Sequence, residues 1–358
     1  MTQQDAADEA FAARLEDCVA RTKGRDMPAP YAVNAAMIGM WTDALLDDNP
    51  VYVDAEAARA TGRPGVIAPP AMIQAWIMPK LSRLALGATD VPGFAPYFNK
   101  PGAQRSDEKP HEVFAILAER GYVNSLAVQS RQAYHRELQP GDHVHCVSGV
   151  DQVSALKRTA MGAGHFVTMR LDYRDQEGRD VATQHWTFLR FRTPTDAEKA
   201  QAKARPAKPP ATTAAPPSRA EQAGAPLTGA PEVGQVTEPT VIPITPSFVI
   251  ATALATHDFY AIHHDVDWAR SIGQPDIFTN ILTTTGLVGG MMTRWGGPAV
   301  RLRSTDLRLF TPNYPGDALT LQGRVTAVDG EDVTMAVSGV NRLGTHVEAV
   351  VVGTVPAR

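Results

Sequence analysis

A short polar window in the last third of the chain carries the side chains best suited to chemistry. Residues 256–265 read THDFYAIHHD, and Asp258 and His263 stand five positions apart in it. The window lies between a strand-like run over residues 247–255 and a predicted short helix, and such junctions on a rigid frame often hold reactive groups. In a loop that turns back, this carboxylate and imidazole could hold one water and move its protons.

Two other interpretations of the window stay open. Five potential metal ligands lie in or just after it, namely His257, His263, His264, Asp265 and Asp267. Neither an HExxH pattern nor the spacing of a facial triad is present, so we expect no metal. Alternatively, Asp265 caps the following helix, with His257 and His264 as half-exposed surface residues.

Hydration of an α,β-unsaturated thioester is one reaction open to such a pair. It needs a base that activates water toward Cβ, an acid at Cα and donors for the enolate oxygen. The donors would be the backbone N–H groups of Asn280 and Ile281, at the start of an apolar helix predicted over residues 280–295, because helix N-termini carry unpaired N–H groups. The sequence leaves open which of Asp258 and His263 is the base.

A stretch rich in Ala and Pro divides the chain of 358 residues into two parts. Residues 194–239 contain no aromatic residue and cannot bury enough apolar surface to offset the entropy of ordering, so we expect a disordered linker. It would separate an N-terminal domain over residues 1–193 from a C-terminal domain over residues 240–358, each long enough to bury a core.

The two parts repeat each other. A shift of 211 residues aligns Asp47 with Asp258, Asp54 with Asp265, Ala58 with Ala269, Arg59 with Arg270, Gly62 with Gly273 and Pro64 with Pro275. A second window follows in the same order, with Pro140-Gly141-Asp142 matching Pro315-Gly316-Asp317. Two windows in one order indicate an internal duplication.

Each copy is predicted to contain a short capped helix, a longer apolar helix and then several strands. The longer helix of the first copy is expected over residues 69–86, with Pro at its start, and residues 175–178 and 328–332 predict hairpin turns. A long helix followed by an antiparallel sheet indicates an α+β fold in which the sheet wraps the helix. This is the hot-dog arrangement, and two copies predict a double hot-dog.

The bulk composition excludes several classes of protein. The net charge is −4, hydrophobic residues make up 44%, and no Lys/Arg-rich run suggests nucleic acid. No apolar stretch approaches the roughly 20 residues that span a bilayer, and the N-terminus lacks the apolar region of a signal peptide. Two cysteines without metal-ligand spacing fit a reducing compartment. We therefore expect a cytoplasmic protein that binds neither nucleic acid nor membrane.

The polar window resembles the hydratase-2 motif of the MaoC-like (R)-specific enoyl-CoA hydratases, which runs Asp-x-Asn-Pro-aliphatic-His. Asp258, Ile262 and His263 stand at the Asp, aliphatic and His positions. Tyr260 and Ala261 depart from the Asn and Pro, which puts the shape of the loop in doubt. The resemblance implies that Asp258 and His263 are catalytic.

The first copy departs from the motif in the opposite way. Residues 47–52 keep the Asp, Asn, Pro and aliphatic residues, but Tyr52 replaces the His. A phenol with a pKa near 10 is a poor base at neutral pH, so we expect this copy to be inactive.

A narrower resemblance concerns the steroid side-chain enoyl-CoA hydratases. Residues 276–283, followed by Gly286-Leu287 and Trp295, are similar to their catalytic subunit, and residues 68–76 to the MaoC-type domain of the partner subunit. In that family two chains form a hydratase for a pregnene-carboxyl-CoA, and here both would be fused. The resemblance implies a cofactor-free hydro-lyase of steroid catabolism that hydrates a bulky enoyl-CoA of the 3-oxo-pregnadiene-carboxyl-CoA type.

Alternative functions are a general (R)-specific long-chain enoyl-CoA hydratase or dehydratase, a thioesterase and a non-catalytic acyl-CoA-binding protein. A hot-dog thioesterase would need a carboxylate on the long helix, and residues 280–295 contain none.

The remaining expectations concern the substrate and partners. The candidate substrate-binding side chains are Asn49, Tyr52, Arg294, Arg301 and Arg303, with the arginines toward CoA. The extra segment over residues 87–122 either shapes the acyl tunnel or is a peripheral insertion. Expected partners are the acyl-CoA, a second copy in a homodimer and, from the resemblance, a downstream aldolase, although no OB-like docking module follows the last strand.

Overall fold

The computed structural model describes residues 3–78, 111–159, 161–192, 227 and 229–356. The helices are α1 (Gln3–Arg21), α2 (Ala35–Leu45), α3 (Ala55–Ala60), α4 (Glu112–Glu119), α5 (Pro246–Ala255), α6 (Val266–Ser271) and α7 (Ile281–Gly296). Three 3₁₀ segments cover Pro50–Tyr52, Pro70–Ile77 and Ala261–His263. The strands are β1 (Arg25–Pro28), β2 (Asn124–Tyr134), β3 (His145–Val153), β4 (Lys157–Thr159), β5 (Gly162–Arg174), β6 (Asp180–Phe191), β7 (Thr240–Ile244), β8 (Arg301–Leu309), β9 (Asp317–Asp329), β10 (Asp332–Asn341) and β11 (Gly344–Thr354).

One antiparallel sheet runs through both copies. Its strand order is β1-β3-β5-β6-β2-β8-β11-β10-β9-β7, with β4 beside β5. The two copies meet where β2 pairs with β8, and Ser130 there lies opposite Leu307. Each copy contributes five strands in mirrored order, so the predicted α+β double hot-dog is confirmed.

The backbone repeats as closely as the sequence. Among the described residues, the two non-glycine residues with positive φ are Leu46 at 57° and His257 at 56°, which are again 211 positions apart. Each directly precedes the motif aspartate of its copy. The second window repeats as well, because Gly141 N–H donates to Val33 O at 2.8 Å and Gly316 N–H donates to Ile244 O at 2.8 Å. The predicted duplication is therefore confirmed.

Helix α7 is the central helix around which the sheet wraps. Asn280 caps it by accepting the N–H of Thr283, and nearly every residue of the helix is buried. At Gly286 a Cβ atom would lie 2.7 Å from Trp41 Cζ2 on α2, closer than an ordinary contact. Glycine at this position therefore lets the first copy pack directly against the helix of the second.

Two predicted elements differ from the structure. Residues 247–255 belong to helix α5 rather than a strand, because Pro246 opens the helix and the Thr245 side chain accepts the Phe248 N–H. The first copy has the 3₁₀ segment Pro70–Ile77 where a helix over residues 69–86 was predicted. Residues 79–86 lie outside the described residues. The hairpin turns at 175–178 and 328–332 are confirmed.

The predicted disordered linker is wrong at its C-terminal end. Val236 bridges Arg324 on β9, and Thr237 N–H donates to Gly323 O at 2.9 Å. Leu227 is buried, and its N–H donates to Trp295 O at 2.6 Å. Strand β7 covers only part of β9, so the preceding residues satisfy backbone groups that would otherwise stay unpaired. In the part of the chain described here, no helix is both long and apolar enough to cross a bilayer.

Candidate active site

Asp258 and His263 face each other, as the sequence predicts. His263 Nε2 lies 3.5 Å from Asp258 Oδ2, and the two side chains are 8% and 15% exposed. The 3₁₀ turn Ala261–His263 brings the chain back on itself, and Asp258 Oδ1 accepts the Tyr260 N–H at 3.4 Å. The distance is long for a direct hydrogen bond and suits a small molecule that contacts both groups.

The hydrogen bonding of His263 fixes its tautomer. Nδ1 lies 2.6 Å from the Phe278 carbonyl oxygen. Because that oxygen can only accept, Nδ1 carries the proton. The neutral form of the ring therefore has its lone pair on Nε2, which faces Asp258, and this is the form required of a base.

Asn280 ties the catalytic loop to the start of α7. Its Nδ2 donates to Thr256 Oγ1 at 2.7 Å, and its Oδ1 accepts the Thr283 N–H at 2.7 Å. Thr256 lies two residues before Asp258, so the Asn280 side chain both holds the catalytic loop in place and caps α7. The side-chain role of Asn280 was not evident from the sequence, which pointed only to its backbone.

A pocket of about 290 Å³ adjoins the pair and is built from both copies. The second copy lines it with Asp258, Tyr260, Ile262, His263, Phe278, Thr279, Asn280, Ile281, Leu309, Phe310, Thr311, Pro312 and His346. The first copy adds Ser125, Leu126, Ala127, Val128, Trp186 and Phe188. The lining is mostly apolar with a few polar groups, as in sites for largely apolar ligands.

Asn280 and Ile281, predicted as the source of oxyanion donors, both line this pocket. Ile281 is the first residue of α7, so its N–H has no acceptor within the helix. The positive end of the helix dipole lies at the same place. The structure therefore brings these backbone groups and the Asp258–His263 pair to one pocket.

His346 on β11 also lines the pocket, and sequence reasoning missed it. Its Nδ1 donates to Thr311 O at 2.6 Å and its Nε2 lies 2.9 Å from Thr284 Oγ1. Burial lowers the pKa of the imidazole to about 4. Because both nitrogens have hydrogen-bond partners and the ring is neutral, His346 forms part of the pocket wall and does not act as a base. No spacing links it to the polar window, so the sequence carried no signal for it.

The motif residues of the first copy lie against the far end of α7 instead of this pocket. A side chain at Gly290 of α7 would begin 3.6 Å from Asp47 Oδ2. Tyr52 is 3% exposed and hydrogen-bonded to Thr293, and burial raises its pKa well above the ordinary value. Asn49 Oδ1 caps the Pro50–Tyr52 turn. Helix α7 thus packs directly against these motif residues, and Asn49 and Tyr52 do not line the pocket.

Asp47→Asn should stabilise the protein at alkaline pH. Burial raises the pKa of Asp47 from 3.8 to about 6, with Arg294 partly opposing that rise. Below pH 4 the Asp47 carboxyl is protonated in both the folded and the unfolded state and does not lower the folding stability. The stability falls as the pH rises from 4 through 6, because ionisation of this carboxyl is less favourable in the folded state. We expect Asp47→Asn to gain about 2 to 3 kcal/mol at pH 8 and nothing at pH 4, measured by urea unfolding. A gain equal at both pH values would contradict this.

The arginines predicted to meet CoA do not line the pocket. Arg301 pairs with Glu137, Arg303 Nε donates to Thr354 Oγ1 at 2.8 Å, and Arg294 Nη2 lies 3.4 Å from Leu46 O near the opposite end of α7. Their positions give no support to a contact with a thioester at Asp258, and that role remains only a prediction.

The five potential metal ligands of the polar window do not converge. Within the described ranges, no three His, Cys, Asp or Glu side chains are placed to share a metal ion. Asp265 caps α6 by accepting the Trp268 N–H, as predicted. His257 and His264 are half-buried.

Comparison with known proteins agrees with this fold. Residues 22–184 match the family described as FAS1-like, dehydratase domain region, and residues 229–349 match the MaoC like domain. The chain is 50% identical over 106 residues to the 3-oxo-4,17-pregnadiene-20-carboxyl-CoA hydratase beta subunit of Mycobacterium tuberculosis, which covers 30% of this chain and 82% of that subunit. This chain belongs to the MaoC-like family of dehydratases and hydratases.

Two further relatives are alpha subunits. The protein named "Probable enoyl-CoA hydratase alpha subunit" of Thermomonospora curvata is 42% identical over 56% of this chain and 58% of its own length. The 3-oxo-4,17-pregnadiene-20-carboxyl-CoA hydratase alpha subunit of M. tuberculosis is 33% identical over 50% of this chain and 52% of its own. The chain thus spans only about half of each alpha subunit.

Solved structures support the fold alone. A MaoC-like dehydratase superposes with a TM-score of 0.67 over 96% of this chain and 100% of its own, at 21% identity. An M. tuberculosis protein with a double hotdog fold superposes with a TM-score of 0.56 over 93% of this chain and 96% of its own, at 14% identity.

Proposed function

We propose that this chain is a hydro-lyase that adds water across the α,β double bond of an enoyl-CoA. The observation that carries the proposal is the arrangement of Asp258 and His263, 3.5 Å apart, in a mostly apolar pocket that the start of α7 also lines. The family and the hydratase names of the relatives support it.

The mechanism follows from the tautomer of His263. A water held between Nε2 and Asp258 Oδ2 gives its proton to Nε2 while its oxygen attacks Cβ. The N–H groups at Asn280 and Ile281 stabilise the enolate oxygen that forms. The imidazolium then returns the proton to Cα, and the Asp258 carboxylate stabilises the cation in between. His263 is thus base and then acid, and Asp258 positions the water.

We propose further that the acyl group is bulky and of the steroid side-chain type. The first copy holds its motif residues against α7 and supplies Ala127, Trp186 and Phe188 to the shared pocket. Its role is to widen the acyl site. The identity to both pregnadiene-carboxyl-CoA hydratase subunits supports this substrate class.

The test compares three thioesters with the purified chain. Loss of enoyl-thioester absorbance is followed with crotonyl-CoA, a long-chain trans-2-enoyl-CoA and 3-oxo-4,17-pregnadiene-20-carboxyl-CoA. We expect the highest kcat/KM for the steroid. Fast turnover of crotonyl-CoA with none of the steroid would refute the bulky substrate, and a preference for the long chain would favour the general hydratase.

Ala127→Trp should separate bulky from small substrates. Ala127 lines the pocket from β2, so an indole there fills the space that a large acyl group needs. We expect kcat/KM for the preferred bulky substrate to fall by about 10- to 200-fold, with crotonyl-CoA hydration nearly unchanged. Ala127→Ser is the matched control. Equal losses for both substrates would show that Ala127 does not contact the acyl group.

The cytoplasmic location, the absence of a cofactor, the homodimer and the aldolase partner stay predictions. The relatives named alpha and beta subunits favour assembly of hot-dog domains in general. Residues 87–110 of the insertion predicted to shape the acyl tunnel lie outside the described residues.

A further inference from the structure

Arg190 on β6 is a half-buried cation without a carboxylate partner among the described residues. Its guanidinium carbon lies 5.1 Å from the centre of the Phe114 ring, and its Nε is buried and without a hydrogen bond. Burial lowers its pKa, and Tyr260 opposes that shift. In contrast, the buried Arg63 pairs with Glu137 at 2.8 Å. Partial burial of a cation without a counter-charge is costly, and an anionic ligand would offset that cost.

The position of Arg190 is next to the candidate active site. Alternate residues of a strand share a face, so Arg190 lies on the same side of β6 as Trp186 and Phe188, which line the pocket. On the neighbouring strand its partner is Ser125, another lining residue. Tyr260, close enough to influence its charge, stands in the catalytic loop itself.

We propose that Arg190 binds an anionic oxygen of the substrate, either a phosphate of CoA or a carboxylate on the acyl group. This inference rests on the proposed function and adds a subsite to it. The planar guanidinium suits both anions, because its parallel N–H groups pair with two oxygens. The Phe114 ring supports one face by a cation–π contact and leaves the edge free for the ligand.

Tyr260 is the second group of this subsite. Burial raises the pKa of its phenol to about 12, with Arg190 opposing and Asp258 adding to the shift. Because Tyr260 also lines the pocket and a protonated phenol can donate, it is the second donor that we assign to this anion. The tyrosine at the Asn position of the motif thus acquires a function in this chain.

The test is calorimetric titration of the full chain with CoA, pantetheine, succinyl-CoA and butyryl-CoA. Arg190→Gln is compared with wild type and with Arg170→Gln, which removes an exposed arginine paired with Asp172 on β5. If the anion is a phosphate, Arg190→Gln weakens the affinity for CoA by about tenfold or more and leaves the affinity for pantetheine unchanged. If it is an acyl carboxylate, CoA is unchanged and the preference for succinyl-CoA over butyryl-CoA falls by a similar factor.

Unchanged affinities for all four compounds, with wild-type circular dichroism, would overturn the inference. Arg190→Lys keeps the positive charge but lacks the parallel N–H groups of the guanidinium, so we expect a smaller loss of affinity than with Arg190→Gln. If Arg190→Gln does not fold, the affinities of Arg190→Lys test the proposal. A wild-type chain that binds none of the CoA compounds would overturn the proposed function itself, whereas CoA binding indifferent to Arg190 would overturn only the subsite.

Discussion

Replacing His263 with alanine should lower kcat for the preferred enoyl-CoA by about 10²- to 10⁴-fold, with a smaller effect on KM. The side chain is 8% exposed, and the lone pair of its Nε2 faces Asp258. Removing it deprives the water of its proton acceptor and Cα of its donor, while the apolar walls that hold the acyl group remain. Initial rates from enoyl-thioester absorbance give both constants.

The control for this prediction is His143→Ala, which removes an exposed histidine outside the pocket and should keep wild-type rates. Asp258→Asn is isosteric and tests the other half of the pair, with a loss in kcat of comparable size. If His263→Ala keeps its fold, as judged by circular dichroism, and hydrates at the wild-type rate, the mechanism is wrong, whatever the substrate.

Replacing Arg63 with alanine should cost about 3 to 5 kcal/mol of stability. The Arg63 side chain is 1% exposed and lies between the two copies. It pairs with Glu137 and donates to the carbonyl oxygens of Pro298 and Val300 at 2.9 and 2.8 Å. Its loss leaves Glu137 with less compensation and leaves the buried carbonyl of Val300 and the part-buried carbonyl of Pro298 without their donor. The midpoint of urea unfolding measures the change.

Arg59→Ala is the matched control, because Arg59 is an exposed arginine on α3 only four residues away. It should change stability by less than about 0.5 kcal/mol. We also expect Arg63→Ala to weaken hydration of the bulky substrate more than that of crotonyl-CoA, because the pocket wall depends on the docking of the two copies. An Arg63→Ala protein as stable as Arg59→Ala would show that the β2–β8 pairing holds the copies together unaided.

The catalytic pair was accessible to sequence reasoning because its signal is local. Asp258 and His263 lie five positions apart in one loop, and residue types at short spacing survive as a motif. The helix caps at Asp54 and Asp265 were predictable for the same reason, since a cap depends on the three residues that follow it. The duplication was visible because both copies keep their turns and caps at one offset.

The first copy shows where local reasoning stops. Residues 69–86 have the composition of an apolar helix, yet the part over Pro70–Ile77 is a 3₁₀ segment packed beside α7. Residues 247–255 alternate like a strand but form α5 because Thr245 and Pro246 start a helix there. In both cases neighbours along the chain or across the sheet outweigh intrinsic propensity.

The sequence by itself determined the two hot-dog copies, the Asp258–His263 pair and the loss of a base at Tyr52, because each depends on residue types within a few positions. Only the tertiary structure decided that α7 packs against the motif residues of the first copy and that Trp186 and Phe188 join the pocket of the second. It also placed Arg190 opposite Ser125, a residue that lines this pocket. These relations depend on the pairing of β2 with β8, which brings residues far apart in sequence into contact and leaves no trace in their spacing along the chain.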